Sequence, residues 1–370
     1  MKKLLLMIGV ALVSAAAGVA LIAAWSTGEP SVASSRISNG DAITIRKDWQ
    51  GTPIDQYGRF MNHEFPFTSS IWDLIRWKAG GNPQRTEKAE DKFRLAVRDP
   101  SEFLRSERDG ILWMGHATFF IRLNGKSILL DPVFGKPPLV SIYADIPNPL
   151  GELTSVDYIL TSHDHRDHTD EASIRAIVRK FPNAILLAGL GAEDIFNEWK
   201  TPSNEVKTIG RFQQFTLPDD GLKIYFLPVR HWSRRGLLDT NQRLWGAFVI
   251  ESEGTTIYFS GDSGYGGHYR ETGELFPEID YFIVGIGGYK PEWFMEPNHD
   301  SPTEAVQAFL DAGAKTLIPM HFGRFDLSDE PPGEPLRLLY ESAAKAGVSG
   351  NIRLLQNNES LNITQDKGHQ

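Results

Sequence analysis

The chain of 370 residues contains no cysteine. Disulfide frameworks, thiol nucleophiles and Cys-ligated metals are therefore excluded, and any transition-metal site must be built from His, Asp and Glu. Long Lys/Arg runs are also missing, and 38 basic residues against 47 acidic ones leave a formal net charge of −9. Gripping the polyanionic backbone of nucleic acid requires the opposite balance, so no nucleic-acid partner is expected. No internal repeat recurs at a fixed period. What is present is ample apolar material, 41% hydrophobic with 11% aromatic residues, which excludes whole-chain disorder. The length exceeds the roughly 100–200 residues of one ordinary domain. It allows one large α/β domain with extensions, or two smaller domains.

The amino terminus opens Met1-Lys2-Lys3 and then runs uncharged from Leu4 to Trp25. As a helix rising about 1.5 Å per residue, this stretch spans about 33 Å, enough to cross a bilayer core. A cleaved secretory signal has a shorter apolar region of about 7–15 residues before a small-x-small site. Ala15-Ala16-Ala17 and Ser31-Val32-Ala33 both have that form. The length favours an uncleaved membrane helix over residues 1–25, with Lys2 and Lys3 in the cytoplasm and the remainder on the periplasmic or extracellular side; secretion after cleavage is the alternative. Absence of cysteine suits an oxidising compartment without requiring one. Ser26 to Gly40, rich in Ser and Gly, reads as a flexible tether, with the linker running to about residue 45. Residues 46–108 read as an extension packed on the main domain, within which Lys88 to Arg108 is a solvated helix and connector. The main domain is expected over 109–360, followed by a polar tail over 361–370.

Beyond residue 110, short apolar runs alternate with polar helical stretches. Strands are predicted at Ile111–Trp113, Thr118–Leu123, Ser127–Leu130, Tyr158–Thr161, Ile185–Ala188 and Leu222–Pro228. Others are predicted at Trp245–Ile250, Thr256–Ser260, Tyr281–Val284 and Thr316–Pro319. Asn124-Gly125 between two of them is a two-residue hairpin turn, since both residues tolerate positive φ. Helices are predicted at Glu171–Lys180, Pro302–Ala312 and Pro335–Ala346. Ser301-Pro302-Thr303-Glu304 combines an N-cap, a proline at the first helical position and a capping-box glutamate. Two sheets covered by helices, within one large domain, account for this pattern.

Three of the ten histidines fall within six residues, in Ser162-His163-Asp164-His165-Arg166-Asp167-His168. An apolar strand ends just before them and a helix follows. His163 and His165, two apart on extended backbone, point the same way and can meet one ion; Asp167 and His168 can reach a second. Imidazole with carboxylate suits Zn, Fe or Mn better than Ca or Mg. His231, Asp262 and His321 each follow a predicted strand in the same manner, and glycines flank Asp262 in Gly261-Asp262-Ser263-Gly264. Together they make five histidines and two aspartates, a set sufficient for two adjacent metals, with Asp262 as the carboxylate shared between them.

This ordered set, His-x-His-x-Asp-His at 163–168 and then His231, Asp262 and His321, resembles the metallo-β-lactamase fold superfamily over about residues 50–350. The resemblance implies a four-layer αββα sandwich, of mixed α/β (α+β) class, with a dinuclear site at one edge of its sheets. It implies that His163, His165 and His231 hold one metal, that Asp167, His168 and His321 hold the other, and that Asp262 bridges. The expected cofactors are two Zn2+ ions, or Fe or Mn, with a bridging hydroxide. Asp131, in Leu129-Leu130-Asp131-Pro132, matches the early aspartate that orients the ligand loop, or is simply a turn-initiating Asp before Pro. Further stretches, Trp113-Met114-Gly115-His116-Ala117-Thr118, His231-Trp232-Ser233-Arg234-Arg235, Leu244-Trp245-Gly246 and Tyr289-Lys290-Pro291-Glu292-Trp293-Phe294-Met295, look like the N-acyl-phosphatidylethanolamine-hydrolysing phospholipase D branch, as do Gly261–Tyr265 and Met320–Gly323.

That branch implies hydrolysis of a phosphodiester in an N-acylated phosphatidylethanolamine or related phospholipid, a lipid partner that the membrane helix would bring within reach. A lactonase, a soluble phosphoester hydrolase or a non-catalytic lipid-binding envelope protein of the same fold are the alternatives. Asp167 is expected to orient the attacking hydroxide besides ligating. His299, in Pro297-Asn298-His299-Asp300, is expected either to donate a proton or bind phosphate, or to be a capping-loop histidine. His116 reads as support for the ligands or as structural. His63, His268 and His369 read as ordinary surface residues. Trp232, Trp293, Phe294 and Met295 either line an apolar groove or belong to the core, and Arg234, Arg235 and Lys290 either meet a phosphate or are solvated.

Overall fold

The computed structural model describes residues 33–66, 70–218 and 221–363. Two seven-stranded mixed sheets stack face to face. In spatial order the first comprises Val206–Ile209, Ile185–Gly189, Tyr158–Thr161, Lys126–Leu130, Phe119–Leu123, Gly110–Trp113 and Glu359–Asn362. The second comprises Thr316–Met320, Tyr281–Gly285, Thr255–Phe259, Ala247–Ser252, Lys223–Leu227, Gln213–Gln214 and Ile43–Thr44. Strict alternation builds the layers. Ile111, Trp113, Phe119, Ile121, Ile128, Leu130, Tyr158 and Leu160 point into the core between the sheets. Their neighbours Leu112, Phe120, Leu129 and Ile159 point outward, beneath Ile174, Ile177 and Val178 of the Glu171–Lys180 helix and Phe196 and Trp199 of the Glu193–Trp199 helix. Both faces of these strands are therefore buried, which is why they read as continuous apolar runs. The helices His268–Leu275, Pro302–Asp311 and Glu334–Ala346 pack together and cover the other sheet.

Strand direction decides where function can sit. In the first sheet, Gly110–Trp113, Lys126–Leu130 and Tyr158–Thr161 run one way, through two antiparallel steps and one parallel step. In the second, Lys223–Leu227 runs with Thr255–Phe259, Tyr281–Gly285 and Thr316–Met320 for the same reason. The loops leaving the carboxyl ends of these strands carry His116, Asp131, His163–His168, His231, Asp262, His299 and His321.

The ten predicted strands of the main domain lie within two residues of those observed. Outside them the structure departs from the sequence reading. Ser35–Ile37 pairs with Thr52–Ile54, and Ile43–Thr44 adds to the edge of the second sheet; the latter half of the segment taken for a tether is thus ordered by backbone pairing that its Ser/Gly composition does not advertise. Asn39 strengthens this attachment, its side chain donating to the Thr208 carbonyl and its N–H to Gln213. Lys88 to Arg108 is not one solvated helix. It breaks into the short helices Arg85–Glu90 and Ser101–Arg105, and Leu95, Phe103 and Leu104 are buried among its charges. The polar tail begins later than 361, since Glu359–Asn362 pairs with Gly110–Trp113. The apolar run assigned to a membrane helix lies outside the described residues; among those described, no helix is long and apolar enough to cross a membrane.

Phe60 inserts from the amino-terminal extension into the inter-sheet core, and its N–H donates to the Asn241 carbonyl at 2.7 Å. Phe60→Ala is expected to lower the unfolding free energy by about 3–5 kcal/mol through cavity formation, measured by chemical denaturation.

Candidate metal centre

The residues from Ser162 to Thr169 form a tight loop between the Tyr158–Thr161 strand and the Glu171–Lys180 helix, which Asp170 caps through the Ser173 N–H at 2.9 Å. Asp131 organises this loop from beneath. It is fully buried, on left-handed backbone (φ 41°), and accepts from the Ser162 N–H (2.7 Å), the Ser162 hydroxyl (2.6 Å) and His168 Nδ1 (2.7 Å). With its own proton committed to Asp131, the Ser162 oxygen accepts from His163 Nδ1 at 2.9 Å. One carboxylate thereby orients two imidazole rings, leaving Nε2 of each directed at the cleft. His231 is fixed in the same sense, its Nδ1–H donating to the Asn298 carbonyl at 2.9 Å.

His163 Nε2 lies 2.9 Å from His165 Nδ1, which lies 3.2 Å from His231 Nε2. Burial holds His163 well below the ordinary histidine range, with neighbouring imidazoles adding to the effect, and pushes His165 to about 4 and His231 to about 3. Three neutral rings thus turn lone pairs toward one point, and a single proton cannot serve them all. Ligand atoms around four-coordinate Zn, at about 2.0–2.1 Å from the ion, are separated by about 3.3 Å, so the donor set fits such an ion.

A second cluster adjoins it. Asp167 Oδ2 lies 3.7 Å from His168 Nε2 and 3.6 Å from His321 Nε2. Asp262 stands between the clusters, with Oδ2 3.1 Å from His168 Nε2 and 3.9 Å from both His163 and His231 Nε2, and with Oδ1 3.2 Å from His321 Nε2. Gly261 permits this approach: its φ is 58°, and a Cβ there would fall 2.6 Å from Ser162 Cβ. Burial opposes charge on Asp262, but His168, His321 and His299 outweigh it and hold the carboxyl well below its usual range. Conversely, burial opposes charge on His321, but Asp262 and Asp167 raise it to about 9, and the same pair holds His168 well above its usual range. The two clusters therefore differ, one a neutral tri-imidazole and the other a proton-loaded set around two carboxylates. The donor atoms of His163, His165, His231 and Asp262 lie within 4.8 Å of one another, and so do those of His116, Asp167, His168 and His321.

All seven sequence-predicted ligands are brought together here. Asp131 sits beneath the ligand loop and does more than start a turn. His116 Nε2 is 3.1 Å from Asp167 Oδ2. His299 lies on the more open side, Nδ1 3.7 Å from Asp262 Oδ2, and burial pushes it to about 3.

Other assignments change. Arg235 is half-buried, and its guanidinium donates to the carbonyls of Asp164 (3.1 Å) and Thr169 (2.7 Å), bracing the ligand loop. Lys290 is paired with Glu334 at 2.7 Å. Arg234 stacks over Trp232, whose ring centroid is 4.6 Å from that of His165. Trp293 is exposed and carries Arg76 over its face, while Phe294 meets Trp77. His268 is not a surface residue: it is buried and bonds the Ser263 hydroxyl at 3.0 Å, because the helix starting there turns its first face inward. His63 is half-buried against Trp49 and Phe212, and His369 lies outside the described residues.

Sequence reasoning missed Arg243, which bonds the buried Asp164 carboxylate at 3.0 Å while also holding Asp239 (2.7 Å) and Asp194 (2.8 Å). The signal was available in part: with His163 and His165 facing the cleft, Asp164 must face away and needs a cation. Asn62 was missed as well. Its side-chain oxygen accepts from the His231 N–H and Trp245 Nε1, at 3.1 and 3.0 Å, and no local pattern marks it.

The family described as "Beta-lactamase superfamily domain" matches residues 126–322. The N-acyl-phosphatidylethanolamine-hydrolyzing phospholipase D 1 of Caenorhabditis elegans is 29% identical over 227 residues, 58% of this chain and 64% of the worm protein. A metal-dependent hydrolase of Caldivirga maquilingensis is 32% identical over 239 residues, 63% of this chain and 89% of the relative. Among solved structures, the isothiocyanate hydrolase from Delia radicum gut bacteria shares the fold with a TM-score of 0.56 at 19% identity, over 69% of this chain and 99% of that one.

Two outcomes are expected. Titrating metal-free protein by calorimetry near pH 7, in buffers of different ionisation enthalpy, will show one equivalent binding with almost no proton release and one releasing protons, because His168 and His321 are charged there and must lose a proton to ligate. Affinity for that second equivalent rises with pH across neutrality, since His321, raised to about 9, and His168 must each give up a proton to ligate, whereas the first stays flat there. Arg243→Ala will cost about 3–5 kcal/mol of stability by stranding the Asp164 carboxylate, read by chemical denaturation.

Proposed function

The chain belongs to the β-lactamase superfamily as a metal-dependent hydrolase, and on that premise we propose that it is a zinc-dependent phosphodiesterase of phospholipase D type, cleaving N-acyl phosphatidylethanolamine or a closely related phospholipid. The observation that carries this reading is the paired cluster joined by Asp262, in a chain 29% identical over 227 residues to a relative named for that activity. Two divalent ions held there would lower the pKa of water to near neutrality and polarise a phosphoryl oxygen, with Fe or Mn as substitutes for Zn.

The protein's own groups supply position and charge. Asp262, buried and ionised, keeps the two centres adjacent. Asp167, with its side chain 17% exposed, orients the attacking water from the cleft side. His299, neutral and on the open side, offers a ring N–H to the phosphoryl group rather than a proton to the leaving oxygen. Its backbone N–H is held by the Met295 carbonyl, on the short helix that exposes Trp293. With Trp232 against His165, and Leu237 and Leu238 exposed five and six residues further on, apolar groups are available for acyl chains. The uncharged run from Leu4 to Trp25 supports a further part of the proposal: a membrane anchor keeping the catalytic domain beside its lipid on the exported side.

The test is direct. Full-length protein in detergent micelles, given N-acyl phosphatidylethanolamine, is expected to release phosphatidic acid and the N-acylethanolamine, detected by mass spectrometry. A chelator abolishes the release and Zn2+ restores it. His165→Ala is expected to lower turnover at least about a hundredfold, the upper end of what loss of even a supporting group costs, with circular dichroism unchanged. Turnover of lactones alone would overturn the phospholipase assignment, and unchanged turnover would remove His165 from the site.

A further inference from the structure

The turn between the Gly110–Trp113 and Phe119–Leu123 strands supplies none of the seven ligands, yet it is built around one residue of the site. His116 is almost wholly buried, at 1% exposure, on left-handed backbone with φ 55°, a conformation uncommon for residues with a side chain, although histidine tolerates it better than most. Gly115 before it also has positive φ, and a Cβ there would lie 2.2 Å from Ile146. Backbone of this kind persists only where its surroundings over-determine it.

Two sets of contacts do so. The ring hydrogen-bonds Asp167 Oδ2 through Nε2 at 3.1 Å. It also lies 4.0 Å, centroid to centroid, from the His321 ring and 4.7 Å from Phe325. The carbonyl of the same residue accepts from the His321 N–H at 3.1 Å and from Trp113 Nε1 at 2.9 Å. His321 is itself on left-handed backbone, φ 62°, so its placement depends on such a tie. His116 therefore grips both unshared ligand carriers that neighbour it in the second cluster, Asp167 through its ring and His321 through its backbone, and anchors them to the core through Trp113.

The other ligands show what Asp167 lacks. His163 leans on the Ser162 hydroxyl, His168 on Asp131 and His231 on the Asn298 carbonyl. Among the described residues, the Asp167 carboxylate has no hydroxyl or backbone partner of that kind; its one hydrogen bond at normal length is to His116. Removal of groups that orient ligands typically costs 10–100-fold in metal affinity.

We propose that His116 is the positioning residue of the second metal centre, setting the rotamer of Asp167 and the backbone of His321, and so the affinity of that centre for its ion, without being one of its ligands. The inference rests on the two-centre reading of the site and is independent of which substrate is cleaved.

His116→Gly separates the ring from the backbone, because glycine adopts the same φ without strain and keeps the carbonyl. His116→Asn, which also tolerates left-handed backbone, is the second variant in case the glycine loosens the turn. Metal-free full-length protein in detergent is titrated with Zn2+, with stoichiometry read by calorimetry and by elemental analysis after gel filtration. The wild type should bind two equivalents. Each variant should bind the first as the wild type does and the second 10–100-fold more weakly, and millimolar imidazole should restore the second step in His116→Gly by refilling the space of the ring. An unchanged second step, equal weakening of both steps, or a loss that imidazole does not repair would overturn the role of His116. A wild type binding fewer than two equivalents would instead remove the two-centre reading, and this inference with it.

Discussion

Asp262 is a fully buried carboxylate kept ionised against the cost of its burial by the imidazoles around it. A lone carboxylate moved into so dry a site would take up a proton. Here His168 and His321 carry positive charge in answer to it, at 3.1 and 3.2 Å, while His163 and His231 stand neutral at 3.9 Å on its other side. The rest of the cleft follows from keeping that charge in place. Gly261 lets its backbone approach Ser162, Ser162 is tied to Asp131, and Asp131 sets two of the imidazoles that face Asp262.

The surrounding fold makes such a concentration of polar groups affordable. Both sheets bury apolar side chains on their two faces, so the polar residues are confined to loops at one edge. Common strand direction brings seven such loops to that edge. The ligand loop is then clamped from outside by Arg243 on the Asp164 side chain and by Arg235 on two carbonyls, and from the extension by Asn62 on the His231 backbone. These groups touch neither ion nor substrate. They remove the freedom that would let three histidines and two aspartates relax away from geometry that suits a cation and little else.

How much of this was readable beforehand depended on the range over which each signal acts. Strands such as Tyr158–Thr161 and the helix Glu171–Lys180 were legible because period and caps are local. The short edge strands Ser35–Ile37 and Ile43–Thr44 were not, since their order comes from partners at residues 52–54 and 213–214 rather than from their own composition. Likewise Phe103 and Leu104 sit in a charged segment whose average hides two buried side chains. For Arg235, read as either meeting a phosphate or solvated, the hold on the Asp164 and Thr169 carbonyls was hidden, because sequence adjacency says nothing about which way a long side chain turns.

The amino-acid sequence by itself determined the chemistry available: no thiol, a cluster of histidines and aspartates in a recognisable order, and strands ending where those residues begin. Patterns of two, three and four residues suffice for that, because alternation, capping and ligand spacing are short-range properties. Only the tertiary structure decided which nitrogen of each histidine faces the cleft, which cluster is neutral and which charged, which of its two readings His116 takes, and that Arg243 belongs to the site at all. Those outcomes depend on burial and on hydrogen bonds between residues far apart in the chain, 79 positions for Arg243 and Asp164 and 169 for His231 and Asn62, and no local pattern carries that information.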